Sequence, residues 1–158
     1  MHDGICFTLN GKKTCYAGNA AERLLDVLRG HYHLTGVKCA CKEGECGACS
    51  VLMDGQLVNS CMVAMGRCEG TQVVTIEGFS QMERFKVIDQ AFAAVSAVQC
   101  GYCIPGMVLA TEALLMENPH PTEDEIRSGL SGNLCRCTGY NAIVRAVQIA
   151  AKEGNGLW

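Results

Sequence analysis

Alternation opens the chain. Ile5, Phe7 and Leu9 take every second position, with Cys6 and Thr8 between them. That two-residue period predicts a strand with one buried face. Asn10-Gly11 follows, a pair that accepts the positive φ values of a tight hairpin, and 12–16 is predicted to return antiparallel. Asn19 stands three residues before Glu22 and ahead of Leu24, Leu25 and Leu28, which predicts a capped helix ending at Gly30. A loop rich in glycine and cysteine covers 36–49. Asp54-Gly55 then joins 50–53 to 56–58 as a second hairpin, and 73–76 reads as a last short strand.

Near residue 80 the period changes from two to that of a helix. Val87, Ile88, Ala91, Phe92 and Val95 form one stripe over 85–98. Pro105 suits the first turn of a helix over 105–117, which Asn118-Pro119 ends. Thr122 and Glu125 form a capping box for a short helix to about 130. A last helix over 141–152 is predicted to bury Ile143, Val144, Val147 and Ile149. The pattern therefore predicts a strand-rich domain over 1–80 and a helical domain over 81–158.

Composition changes this picture at one point. The chain has 158 residues, 12 of them cysteine. A net charge of −3 gives no basic footprint for nucleic acid. No run of about 18 apolar residues could span a membrane. Met1-His2-Asp3-Gly4-Ile5 lacks the basic and apolar regions of a signal peptide, so a cytoplasmic location is expected. There, dense cysteine points to metal or redox chemistry rather than a disulfide scaffold.

Eight cysteines fall into two sets of four. Cys41, Cys46 and Cys49, with Cys61 downstream, have the plant-type ferredoxin spacing for a [2Fe–2S] cluster. Each iron takes two thiolates, and Gly44 and Gly47 let backbone N–H groups approach the sulfurs. Zinc sites more usually show two close pairs of cysteines, so this spacing favours iron. The second set is Cys100, Cys103, Cys135 and Cys137. Cys100 and Cys103 are one helical turn apart. Each pair precedes a predicted helix whose N–H donors suit an anionic cluster. On spacing alone, a four-cysteine zinc site fits this second set almost as well.

Taken together, the two sets resemble the small, two-cluster iron–sulfur subunit of the xanthine dehydrogenase (molybdenum hydroxylase) family. The matching stretches are Cys41-Lys-Glu-Gly-Glu-Cys46-Gly-Ala-Cys49, Val98-Gln99-Cys100-Gly-Tyr-Cys103-Ile-Pro-Gly106 and Ser131-Gly-Asn-Leu-Cys135-Arg-Cys137-Thr-Gly-Tyr140. The resemblance covers nearly the whole chain. It implies a β-grasp ferredoxin-like domain followed by an all-α four-helix domain. It implies two [2Fe–2S] clusters, a large subunit with a molybdenum–pterin cofactor, and a medium subunit with FAD. Electrons would pass from molybdenum to the helical-domain cluster, then to the ferredoxin-like cluster, then to FAD. Gln99 and Cys137 match positions near the pterin, and the Gln99 amide suits a pterin edge. The implied assembly is a hetero-oligomer, compatible with a dimer of heterotrimers, acting on a purine or other N-heterocycle. The alternative is a free two-cluster electron carrier. A soluble carrier usually has a strongly one-signed surface, and −3 over 158 residues is mild. A structural zinc protein is a third reading, which the first spacing opposes.

Two departures from the family stand out. Ala40 occupies a position usually held by glycine directly before the first ligand, which predicts strain in that turn, and Cys39 stands close enough in sequence to compete with Cys41. Ile104 replaces a common threonine and is expected to pack without penalty.

Cys6, Cys15, Cys39 and Cys68 remain, by default buried thiols. The Asn10-Gly11 turn makes Cys6 and Cys15 a non-hydrogen-bonded cross-strand pair, about 4.5 Å apart at Cα. That is near the lower limit for a disulfide. A reducing cytosol predicts thiols even so. His31 and His33 are expected at the surface, Arg136 near the second set or in solvent, and Met107 and Met116 as core filler. There is no acid/base pair, nucleophile motif or phosphate loop, so the chain is not expected to turn over a substrate alone.

Overall fold

The structure is a computed structural model that describes residues 4–158, so the first three residues of the N-terminal segment lie outside the described residues. β1 (Ile5–Leu9) and β2 (Lys12–Tyr16) pair antiparallel with Leu9 opposite Lys12 and Cys6 opposite Cys15, the register that a two-residue turn dictates. Asn10 and Gly11 both take positive φ, 49° and 79°. β3 (Ser50–Met53) and β4 (Gln56–Asn59) form the second hairpin. β5 (Gln72–Val74) enters between the hairpins, parallel to β1 and antiparallel to β3. The result is a mixed five-stranded sheet in the order β2-β1-β5-β3-β4.

The two faces of that sheet serve different cores. Phe7, Leu9, Val51 and Val73 point to one side, against Leu24, Leu25 and Leu28 of α1 (Leu24–Gly30). This is the β-grasp arrangement. Leu52 and, half-buried, Val74 point to the other side and join the core of the helical half. Strand alternation sends adjacent residues to opposite faces, and in β3 the neighbours Val51 and Leu52 are both buried because both faces are covered.

After the short α2 (Ile76–Phe79), four helices complete the chain: α3 (Glu83–Ala94), α4 (Ile104–Glu117), α5 (Glu123–Gly129) and α6 (Asn141–Glu153). Ile88, Ala91 and Phe92 of α3 pack with Ile143, Val144 and Val147 of α6. α4 is buried along most of its length, with Met107 and Leu115 fully covered. The Thr122–Glu125 capping box forms. Glu112 is buried on α4, where Arg84 Nε stands 2.8 Å from one carboxylate oxygen and Trp158 Nε1 donates to the other at 2.8 Å. The Arg84 N–H points off the oxygen line, so that contact is one of charge. Burial pushes the Glu112 carboxyl up, opposed by Trp158 and Arg84.

Several sequence expectations need correction. Asn19 does not cap α1: its side chain accepts from Ala21 N–H, and the helix starts at Leu24. Residues 20–24 instead lie along 63–66. Leu24 N–H donates to Val63 and Met65 N–H to Glu22, while the Glu22 carboxylate is taken by the Tyr16 hydroxyl. The strand expected at 73–76 stops at Val74 because Ile76 begins α2. α3 ends at Ala94, short of 98, where Ser96 turns the backbone at φ 53°. Met116 is exposed, and Ile149 is half-buried because Ala146 and Ala150 take the inner positions of α6.

Cys6 and Cys15 form a disulfide, against the expectation of thiols, with Cα atoms 4.0 Å apart. The hairpin register explains it. Cys6 N–H and C=O turn away from β2, to the Glu69 carboxylate and Gly70 N–H, leaving the close non-hydrogen-bonded pair with β2. Cys68 is a buried thiol, pushed up to about 11 by burial.

A close steric contact joins the halves backbone to backbone. A methyl group on Gly106 of α4 would stand 2.4 Å from the Gly47 carbonyl oxygen. Gly47 itself sits at φ +67°, and its own Cβ would meet Gly132 O at 2.4 Å. Neither residue has space for a side chain.

This packing sets Gly106 apart from the helical glycine that ends α1. Gly106→Ala should destabilise the chain by about 1–3 kcal/mol or more, since backbone must shift. Gly30→Ala, in a helix with open space around it, should be neutral or stabilising by up to ~1 kcal/mol. Urea unfolding of the two variants checks the contrast. Alkylation of the denatured chain without reductant should leave Cys6 and Cys15 unmodified in the intact mass, and full modification of both contradicts the bridge.

Candidate iron–sulfur centres

The first four-cysteine set is carried by the segment between α1 and β3, with Cys61 supplied by a 3₁₀ turn after β4. Between Cys41 and Cys49 three left-handed residues coil the segment: Lys42 (φ 61°), Gly44 (φ 79°) and Gly47 (φ 67°). Ala40 is not among them, so the turn there does not need glycine, and the predicted strain is absent. Asn59 Nδ2 donates to Gly44 O at 2.7 Å, and Ser60 Oγ donates to Cys49 O at 2.7 Å. These bonds tie the coil to the end of β4, next to Cys61.

Within this set the thiols stand in neighbouring pairs, Cys41 beside Cys46 and Cys49 beside Cys61. Glu43 N–H points at Cys41 Sγ from 3.4 Å. That N–H, with Cys46 and the Glu45 N–H, holds the Cys41 thiol down to about 6. Cys49 and Cys61 are buried, and burial together with Cys49 pushes Cys61 up. Cys39 packs toward the ferredoxin-like core, and its carbonyl accepts the Tyr102 hydroxyl at 2.7 Å.

The second set lies at the starts of two helices. Cys103 is the N-cap of α4, and Cys100 precedes it across Gly101 at φ 82°. The two are joined by this turn rather than stacked on one helical turn. Cys135 and Cys137 lie on the loop before α6, which Gly139 and Tyr140 enter at φ 64° and 69°. Tyr140 Oη accepts from Cys135 N–H at 2.8 Å and donates to Asn133 O at 3.3 Å.

Pairing recurs here. Cys137 Sγ is 3.6 Å from Cys100 Sγ, and Cys103 neighbours Cys135. Burial, then Cys135, pushes the Cys103 thiol up to about 12. Cys135 is lowered despite its desolvation, because the Thr138 hydroxyl, 3.1 Å from its sulfur, and the Thr138 N–H favour the thiolate.

This donor set fits iron–sulfur chemistry. A separation of 3.6 Å is close to the edge of a tetrahedron with metal–sulfur bonds of about 2.3 Å. Pairs of thiols suit a dinuclear cluster, which takes two per iron. The buried Cys61 and half-buried Cys103 thiols are costly to ionise alone, and a bound cation reverses that cost.

Exposure differs between the sets. Cys100, Cys137 and Gln99 are exposed, so one edge of the second set faces outward. His31 and His33 lie at the surface, His31 edge-on to Tyr16 and Tyr32, and Arg136 is exposed. Ile104 packs against the helical core as expected.

The structure also reveals contacts that spacing did not. Leu134 N–H donates to Cys46 O at 2.9 Å. Asn133 Nδ2 reaches Gly47 O at 3.0 Å. The loops of the two sets therefore touch. Asn133 and Leu134 lie inside the stretch that carries the family resemblance, but nothing local marks a partner 86 residues away. Tyr102, beside Cys103, and Tyr140, three residues after Cys137, offered a weak signal: an aromatic hydroxyl that can satisfy loop backbone.

Comparison with known proteins agrees with this geometry. Residues 7–70 match the family described as 2Fe-2S iron-sulfur cluster binding domain, and residues 75–148 match the [2Fe-2S] binding domain. The chain is 45% identical over 149 residues to the nicotinate dehydrogenase small FeS subunit of Eubacterium barkeri, covering 94% of this chain and 95% of that one. It is 44% identical to the probable xanthine dehydrogenase subunit of Bacillus subtilis, covering 94% and 86%. The solved quinoline 2-oxidoreductase from Pseudomonas putida 86 superposes with a TM-score of 0.89 at 39% identity, covering 96% of this chain and 95% of the matched one. With both cluster domains matched in order and relatives aligned over nearly their full lengths, the chain belongs to the xanthine dehydrogenase (molybdenum hydroxylase) family as a small iron–sulfur subunit with two [2Fe–2S] clusters.

Proposed function

We propose that this chain relays electrons from a molybdenum–pterin site in a large subunit to FAD in a medium subunit. In this reading Cys41, Cys46, Cys49 and Cys61 hold one [2Fe–2S] cluster, and Cys100, Cys103, Cys135 and Cys137 hold the other. Residues 1–80 are the ferredoxin-like domain and 81–158 the helical domain. The assembly is a cytoplasmic hetero-oligomer that hydroxylates a purine or other N-heterocycle. The observation that carries the reading is the direct contact of the two thiol loops, Leu134 N–H to Cys46 C=O at 2.9 Å.

Bound clusters supply one-electron storage. The residues of this chain do the rest. Eight thiolates hold the sites, and the N–H of Glu43 and the hydroxyl of Thr138 stabilise charge on Cys41 and Cys135. Burial of Cys49 and Cys61 keeps water from one side of the first set. Gln99 and Cys137 are exposed beside the second set, where the Gln99 amide is available to a pterin edge of the large subunit.

A subunit fits better than a free carrier. Met62, Tyr102 and Leu134 expose large apolar side chains, Leu134 at 54%. All three adjoin the Cys39–Gly47 coil: Met62 against Gly44, Tyr102 bonded to Cys39, Leu134 bonded to Cys46. Exposed apolar surface around an electron-transfer centre is what a partner subunit covers. The N-heterocycle preference is supported by relatives whose names give nicotinate, xanthine and nicotine.

Order along the relay is testable in the purified native complex. Cys46→Ala should leave substrate-driven bleaching of the second cluster intact and block delivery to flavin. Cys103→Ala should block both. Delivery to flavin at the native rate in Cys46→Ala overturns the order, and a native complex without molybdenum and flavin overturns the assignment of partners.

A further inference from the structure

Asn133 sits where the two thiol loops meet. It is 3% exposed. Its backbone is fixed from both sides, with N–H donating to Leu130 O at 2.9 Å and C=O accepting the Tyr140 hydroxyl at 3.3 Å. The side chain then crosses to the other half of the molecule. Nδ2 lies 3.0 Å from Gly47 O and 3.2 Å from Ser50 Oγ. Ser50 Oγ in turn donates to Gly47 O at 2.7 Å. The three groups close a small ring in which an amide nitrogen, a hydroxyl and a carbonyl satisfy one another.

The position of this ring is what matters. Gly47 lies between Cys46 and Cys49, and Asn133 lies two residues before Cys135. The adjacent residue, Leu134, donates its N–H to Cys46 O. There is no slack around the contact, because the Gly47 Cβ position is 2.6 Å from Asn133 Nδ2 and the Gly106 Cβ position is 2.4 Å from Gly47 O. The Tyr102 hydroxyl, 2.7 Å from Cys39 O, also crosses between the halves, but from an exposed side chain. At Asn133 a buried side chain of one cysteine loop is bonded to the backbone of the other.

We propose that Asn133 is a positioning residue of the relay: its amide bond to Gly47 fixes the separation of the two cluster sites. The inference rests on the two-cluster relay reading. Electron tunnelling decays exponentially with distance, so a loop contact that defines the gap defines the rate, much as a misplacement of about 1 Å can cost about a hundredfold in other enzyme steps. Each set keeps its four thiols without Asn133, so its loss alters the gap rather than the ligand sets. Each buried donor is used, so the bonds have one geometry and not several.

Asn133→Asp tests this in the intact complex. The volume is kept, but a carboxylate replaces the amide donors and faces the Gly47 carbonyl. Asn133→Ala removes the donors without adding charge. Ser50→Ala keeps the Asn133–Gly47 bond and serves as the mild control. Iron per chain is measured first, followed by the spin–spin splitting of the two reduced clusters in low-temperature EPR and the rate of electron delivery to the acceptor. The expected result is native iron content in both Asn133 variants, altered splitting, and delivery slowed about tenfold or more with KM unchanged. Ser50→Ala should stay near native. Native splitting and rate in both Asn133 variants overturn the inference, as does failure of both to assemble, which would make Asn133 a folding residue. A native complex that lacks two cluster signals fails the relay reading instead.

Discussion

Everything in this molecule is arranged around a place where backbone touches backbone. Gly106, in the first turn of α4, stands against the Gly47 carbonyl, and no side chain fits between them. Leu52 of β3 points into the helical core on the same side of the sheet. The sheet therefore has no solvent-facing side along β3, and the halves share buried surface while keeping separate cysteine loops. Two loops that need freedom to wrap around inorganic groups are held in place by elements that have none.

The thiols show why such holding is required. Four sulfurs brought together repel one another as they ionise, and burial raises the cost. Cys61 and Cys103 are both pushed up, chiefly by burial. Cys41 and Cys135 are drawn down by N–H and O–H donors. Each set thus mixes resistant and ready thiols, and the charge of an iron core reconciles them. Exposure grades across the chain as well. Cys49 and Cys61 are buried under the sheet, whereas Cys100 and Cys137 stand open. An open edge at one set suits a cofactor presented by another subunit.

The residues that were legible from sequence are those whose partners are near in the chain. The Asn10-Gly11 turn set the register of β1 and β2 residue by residue, and the Thr122–Glu125 box set the start of α5. The cysteine spacings pointed to both sets for the same reason. Distant partners are what local sequence conceals. Asn19 looked like a cap because nothing nearby shows that Val63 and Tyr16 claim the groups around Leu24. Met116 carried helical spacing but fell on the outward face of α4. For Cys6 and Cys15 the register was right, and their close approach outweighed the expectation drawn from a reducing compartment. Asn133 had no local signature at all, since its role depends on Gly47 and Ser50 in the other half.

Two clusters per chain is the claim from which the rest follows. The most direct measurement is iron and acid-labile sulfide per chain, with low-temperature EPR of the reduced native complex. Two [2Fe–2S] clusters predict about four irons and about four sulfides per chain, and two distinct signals. About two irons with a single signal, or zinc in a colourless protein, would contradict it.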